Sequence, residues 1–215
     1  MTDSSRRDPN CEIYLVRHAQ TEWNASGRWQ GHADPPLSME GRAQASALIS
    51  VLTAELAGDR VSRIVCSDLS RARETASGLG RHFGLIPASD PNLREMDIGE
   101  WSGLGRAEIA ARNPELLERF EAGDPDARPP GGETRREIRH RARLAVRRIV
   151  DADPWGRILI VSHLGLIRAL LPDADPGNAE FLRLSAADVL TRRMRVDRKD
   201  RMGEKGEKEE AEGPV

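Results

Sequence analysis

Lysine is almost missing from this chain. Of its 33 basic residues 30 are arginine, and the three lysines fall at Lys199, Lys205 and Lys208. The stretch 198–215, rich in Gly, Glu and Lys and without aromatic residues, therefore stands apart and reads as a disordered tail. Residues 1–10 read as a flexible N-terminus, which leaves one domain over 11–197. Aromatic residues are scarce, at 4%. No apolar run approaches the roughly 18 residues of a membrane span, and the N-terminus lacks the apolar core of a signal peptide, so a cytoplasmic protein with no membrane partner is expected. Only two cysteines occur, Cys11 and Cys66. Placed on two strands they sit roughly 15–20 Å apart at about 3.3 Å per residue, too far for a disulfide. An excess of one charge is lacking too: 33 basic against 35 acidic residues give −2, which excludes polyanion binding by bulk charge.

What is present is the rhythm of an α/β domain. Segments 12–18 (EIYLVRH), 62–67 (SRIVCS) and 157–162 (RILIVS) are short apolar, β-branched runs that read as buried strands. From Ser38, residues Ala45, Leu48, Ile49, Leu52 and Leu56 recur at helical spacing, with Gly58 as the expected C-cap. A second helix is expected over 69–83, with Ala72, Ala76, Leu79 and Phe83 inward. Segment 104–121 carries two short helical patterns divided at Asn113-Pro114, and 123–132 is a loop by composition. Thr134 and Glu137 make a capping box for a helix whose stripe is Ile138, Ala142, Ala145, Val146 and Ile149. A short helix over 164–171 stops at Pro172, and 180–196 is expected to supply late strands at a sheet edge. Alternating strands and helices imply a layered α/β sheet.

Two of the strands end in histidine, His18 after Arg17 and His163 within SHLG, and the third leads into CSDLSRARET with Arg71. Ligands of open α/β sheets bind beyond the carboxyl ends of strands, so these residues describe a positive pocket assembled from distant stretches. A helix after His163 would also aim N–H groups at an anion. Taken alone, Arg71 reads as a solvated helix residue and Glu95 as a surface carboxylate. Trp23, Trp29 and Trp101 read as packing residues, with Trp29 also able to lean on a substrate, and His32, His82 and His140 as surface or structural.

Four motifs together resemble the histidine phosphatase superfamily, the phosphoglycerate-mutase-like enzymes. They are RHAQTEWN at 17–24, SDLSRARET at 67–75, EMDIGEWSG at 95–103 and SHLG at 162–165, in that order. The resemblance implies a three-layer αβα sandwich with a mostly parallel sheet flanked by helices. It implies that His18 is the nucleophile, that Arg17, Arg71 and His163 surround the phosphate, and that Glu95 is the proton donor. Thr21, Asn24, Gln30 and Gly31 match positions on the phosphate and substrate side. Ala19 and Leu164 stand where glycine is usual, so an added side chain is expected to narrow the pocket.

The chemistry asks for these residue types on its own account. A neutral imidazole, with an ordinary pKa of about 6.5, can attack phosphorus near pH 7, where lysine would be protonated. A phosphate monoester needs cationic donors in place beforehand. Each close charge pair is worth roughly 4 kcal/mol at an effective dielectric near 20, and a charged His163 is expected to join the two arginines. The departing alkoxide needs a proton, and the resulting carboxylate can then activate water. No cofactor and no metal is expected, since no HExxH or CxxC cluster occurs.

The expected function is hydrolysis of a small phosphorylated metabolite, such as an α-ribazole phosphate-like, phosphoserine-like or sugar phosphate compound. Only about 28 residues separate Trp101 from PPGGET, without the Arg pair of the longer mutase insertion. The DPPLS and PPGGET segments resemble the small phosphatase branch. A 2,3-bisphosphoglycerate-dependent mutase is the alternative, and a catalytically silent phospho-ligand module a third. Segment 104–132 is expected to cap the pocket. The arginine-rich stretch 135–148 invites a nucleic-acid reading, but its apolar stripe favours an exposed amphipathic helix with the arginines outward, and no nucleic-acid partner. A monomer and a homodimer are both compatible with the sequence.

Overall fold

A computed structural model of the protein describes residues 11–191. The expected N-terminal segment and charged tail lie outside these residues. The chain runs β1 (Glu12–Arg17), α1 (Glu22–Ala25), α2 (Met39–Leu56), β2 (Arg63–Cys66), α3 (Ser70–Phe83) and β3 (Ala88–Ser89). Two 3₁₀ turns follow, Pro91–Leu93 and Gly99–Trp101, then α4 (Arg106–Arg112), α5 (Pro114–Glu121) and α6 (Arg135–Asp151). The last elements are β4 (Arg157–Ser162), α7 (Leu164–Leu170), β5 (Phe181–Ser185) and α8 (Ala186–Thr191). No helix among the described residues is long and apolar enough to cross a membrane.

The five strands form one sheet in the order β3-β2-β4-β1-β5. β1 lies parallel to β4, β4 to β2 and β2 to β3, while β5 closes the edge antiparallel to β1. Successive side chains of a strand point to opposite faces, and both faces here are covered. Ile13, Leu15, Val65, Ile158 and Ile160 pack with Ile138, Ala142, Val146 and Ile167 on one side. Tyr14, Val16, Ile64, Leu159 and Val161 pack with Leu48, Leu52, Ala76 and Leu79 on the other. That is a three-layer sandwich with a mostly parallel sheet, as the motifs implied. Both cysteines are free and buried.

Local signals set most boundaries. Ser38 Oγ accepts the Gly41 N–H at 2.9 Å to cap α2, and Thr134 with Glu137 closes the capping box of α6. Three expectations need correction. The left-handed C-cap of α2 falls on Ala57 (φ 48°), one residue before Gly58. The late strand stops at Ser185, because Ser185 and Asp188 cap a helix that turns the chain off the sheet; residues 192–196 lie outside the described residues. The arginines of α6 are not all outward. Arg139 is buried, and Arg135 and Arg141 are turned inward, since a long aliphatic stem can lie along apolar surface while the guanidinium reaches backbone carbonyls. Several others pair with carboxylates, among them Arg136 with Asp126 and Arg148 with Asp90.

Candidate active site

The register of β1 on β4 places Arg17 opposite Ser162, so the residues that follow leave the sheet side by side. The His18 N–H donates to the Ser162 carbonyl at 2.9 Å, and the His18 and His163 rings stand 5.0 Å apart. From the neighbouring β2 the chain enters α3, where Arg71 is fully buried. Its Nε–H donates to His163 Nδ1 at 3.3 Å, and its two amino groups donate to the Ala33 and Gly31 carbonyls at 2.7 and 2.8 Å. Asp34 lies 3.7 Å from the guanidinium and caps the first turn of α3 through the Ser70 N–H at 2.8 Å.

These partners set both tautomers. Guanidinium can only donate, so His163 Nδ1 is bare and its proton sits on Nε2, which is buried without a partner in the protein. A carbonyl can only accept, so His18 Nδ1, 2.7 Å from the Ala19 oxygen, carries the proton and leaves a lone pair on Nε2. One imidazole thus presents a bare ring nitrogen and its neighbour an N–H donor. Burial, reinforced by Arg71, pushes the His18 imidazole down to about 3, and the same causes drive His163 well below its ordinary value. The expectation of a charged His163 is therefore corrected: it serves as a neutral N–H donor, because desolvation beside a permanent cation opposes a second charge.

That burial has a measurable cost in acid. In the unfolded chain each histidine takes up a proton near pH 6.5, whereas folded His18 resists it down to about 3. Stability is therefore undiminished by them above pH 6.5 and declines as pH falls below it, with a slope approaching about 1.4 kcal/mol per pH unit for each histidine. Urea denaturation between pH 7 and 4 is expected to show this decline, and His18→Asn to remove roughly half of it.

Glu95 faces this pair from the loop after the first 3₁₀ turn. Its Oε1 accepts the Met96 N–H at 2.7 Å and its Oε2 the Gly165 N–H at 3.0 Å. An N–H in the first turn of α7, expected to face an anion, thus holds this carboxylate. Arg141 holds the loop itself, donating to the carbonyls of Asn92, Arg94 and Glu95 at 2.7–2.9 Å while paired with Glu133 at 2.5 Å. His32 Nε2 lies 2.8 Å from the Glu95 carbonyl. A Cβ on Gly165 would come within 2.2 Å of Glu95 Oε1. Because the atom struck is the end of a flexible side chain, Gly165→Ala is expected to fold normally yet displace the carboxylate. A fall in kcat of about 10- to 100-fold with little change in Tm would show it; an unchanged kcat for alkyl phosphates would count against a role for Glu95 held in this position.

His18, Arg17, Arg71, Glu95, Asn24, Gln30 and Gly31 line one cavity of about 340 Å³, and the His163 ring stands against that of His18. Thr21 is not in this lining. It is fully buried and caps α1, its N–H donating to Asn24 Oδ1 at 3.1 Å and its hydroxyl accepting the Asn24 N–H at 3.0 Å. It acts by positioning Asn24. Ala19 is not in the lining either; its N–H goes to Thr75 Oγ1 at 3.1 Å, so it does not narrow the cavity, whereas Leu164 does line it. Of the segment 104–132, Phe120 reaches the wall, tilted against Trp29 and edge-on to Trp101. Arg28, Arg135 and Arg168 complete the rim. Sequence reasoning missed these three, together with Arg141, His32 and Asn178, whose Nδ2 donates to the His18 carbonyl at 3.0 Å. Arginines in the first turn of α6, where the helix dipole disfavours cations, were the one available signal.

The family model described as histidine phosphatase superfamily (branch 1) matches residues 13–200. The glucosyl-3-phosphoglycerate phosphatase of Mycobacterium tuberculosis is 36% identical over 211 residues, covering 86% of this chain and 92% of that protein. The phosphoglycerate mutase-like protein 4 of Arabidopsis thaliana is 36% identical over 185 residues, covering 85% and 79%. Among solved structures, the mycobacterial glucosyl-3-phosphoglycerate phosphatase in complex with VO3 superposes with a TM-score of 0.74 at 35% identity, covering 81% of this chain and 90% of that one.

Proposed function

This chain belongs to the histidine phosphatase superfamily (branch 1), and from that premise we propose that it hydrolyses small phosphate monoesters through a phosphohistidine on His18. The observation that carries the reading is the pair of opposed tautomers beside Arg71, with the Glu95 carboxyl across the same cavity. His18 Nε2 attacks phosphorus as the ester P–O bond breaks, and the Ala19 carbonyl, bonded to Nδ1–H, offsets the positive charge that develops on the ring. Arg17, Arg71 and the Nε2–H of His163 take the phosphoryl oxygens. Protonated Glu95 gives its proton to the leaving oxygen, and the alcohol departs. The same group, now a carboxylate, takes a proton from water as that water attacks the phosphohistidine, which releases inorganic phosphate and restores His18.

Related proteins named for glucosyl-3-phosphoglycerate hydrolysis support a small phosphorylated metabolite as substrate. The short segment between Trp101 and the PPGGET turn, which contributes Phe120 to the wall, favours water as the acceptor over a second phosphoglycerate. The test is turnover of p-nitrophenyl phosphate, with acid-labile label sought on the peptide bearing His18. Transfer between phosphoglycerates faster than phosphate release would replace hydrolase by mutase, and good phosphate binding with no turnover between pH 5 and 8 would leave a silent module.

A further inference from the structure

The turn over residues 30–34 meets both halves of the site. Its Ala33 N–H closes on the Gln30 carbonyl at 2.9 Å, and Gly31 is left-handed (φ 50°) and so close to the 98–102 stretch that a Cβ would lie 2.5 Å from Ile98. On one side, the Gly31 and Ala33 carbonyls accept the two amino groups of Arg71 at 2.8 and 2.7 Å. On the other, the side chain between them, His32, places Nε2 at 2.8 Å from the Glu95 carbonyl. A carbonyl can only accept, so this nitrogen carries the proton. The same carbonyl takes Arg141 Nη2 at 2.7 Å, which occupies both of its lone pairs. His32 Nδ1 lies 3.7 Å from Asp97 Oδ2, so one ring spans Glu95 and the residue two places on.

Resting on the phosphatase reading, we propose that His32 is a positioning residue, which fixes the Glu95 carboxyl relative to Arg71 so that the proton is delivered to a phosphoryl group already held by the guanidinium. The link runs through the backbone. Glu95 accepts the Met96 and Gly165 N–H groups on separate carboxylate oxygens, so a shift of its main chain carries the carboxyl off the Gly165 amide. Arg141 does not make the same link, since it reaches the loop from α6 and serves Asn92 and Arg94 as well. His32 alone ties Glu95 to the turn that holds Arg71. Without the His32 N–H the Glu95 carbonyl keeps Arg141, so the fold survives and the consequence is displacement of the acid. A misplacement of about 1 Å costs on the order of 10²-fold in rate.

The experiment compares kcat/KM for glycerol 3-phosphate and for p-nitrophenyl phosphate in the wild type, His32→Leu and His32→Gln. This constant covers binding and phosphorylation but not the later hydrolysis, and in that step only the alkoxide needs a proton. Leucine fills the space without a donor, while glutamine restores an N–H at similar reach. His32→Leu is expected to lose about 10- to 100-fold on glycerol 3-phosphate and less than about 3-fold on p-nitrophenyl phosphate, and His32→Gln to recover most of the loss. Equal losses on both substrates, no loss on either, or a glutamine variant as poor as the leucine one overturns the proposal. A second readout does not depend on turnover: hydrogen exchange of the Gly165 amide, followed by NMR, is expected to quicken at least about 10-fold in His32→Leu and to stay near wild type in His32→Gln. Unchanged exchange in His32→Leu also overturns the assignment. Failure of the wild type to turn over p-nitrophenyl phosphate would instead remove the phosphatase reading, while the Gly165 amide would still decide whether His32 holds Glu95.

Discussion

Replacing His18 with alanine is expected to lower kcat by roughly 10⁴- to 10⁶-fold, the scale of losing a covalent nucleophile. The size of the effect follows from its isolation. His163, the nearest imidazole, cannot take over, because its Nδ1 is committed to Arg71 and its Nε2 carries the proton. The change should touch binding far less. Arg17, Arg71 and the His163 N–H remain in place, so inorganic phosphate is expected to inhibit or bind within a few-fold of its wild-type affinity. Phosphate release and labelling with ³²P-substrate check both halves. Turnover by the alanine variant within 10-fold of wild type would refute attack by this ring.

Glu95→Gln should reduce turnover of alkyl phosphates by about 10²- to 10⁴-fold, the usual contribution of a positioned general acid. The leaving group separates this role from a structural one. Nitrophenolate departs without protonation, so phosphorylation of His18 by p-nitrophenyl phosphate is expected to stay fast, whereas hydrolysis of the phosphohistidine, which needs the carboxylate as base, slows. A stoichiometric burst of nitrophenol followed by a slow steady rate is the expected trace. Equal losses on alkyl and aryl substrates with no burst would point to a merely structural carboxylate. The geometry gives the variant a second handicap, since an amide oxygen can accept the Gly165 or the Met96 N–H but its NH₂ cannot accept the other.

The fold was largely legible from residue patterns. Short β-branched runs such as RILIVS can be buried on both faces only in a covered sheet, and Ser38 and Thr134 announce helix starts by a purely local hydrogen bond. The two-residue β3 was illegible because so short a strand has no periodicity of its own and exists by pairing with Val65 and Cys66. Residues 186–191 form a helix where a strand is expected, because Ser185 and Asp188 make a reciprocal cap that a run of apolar letters conceals. At the site, the residues of the four motifs were legible as types. Thr21 matches a substrate-side position by its motif alone, since its loop is beside the pocket; its hydroxyl serves Asn24 instead.

By itself, then, the sequence determined which residue types are available for phosphoryl transfer and that two of them leave the ends of buried strands. Only the tertiary structure decided how they work. Parallel pairing of β1 with β4 makes neighbours of His18 and His163 across most of the chain length, and Arg71 reaches His163 from a third strand's helix. Proton positions, the neutral state of His163, and the inward turn of Arg135 and Arg141 all depend on backbone carbonyls and on exclusion of water. Those partners belong to no side chain, and burial is a property of the packed whole, so neither is written in the order of the letters.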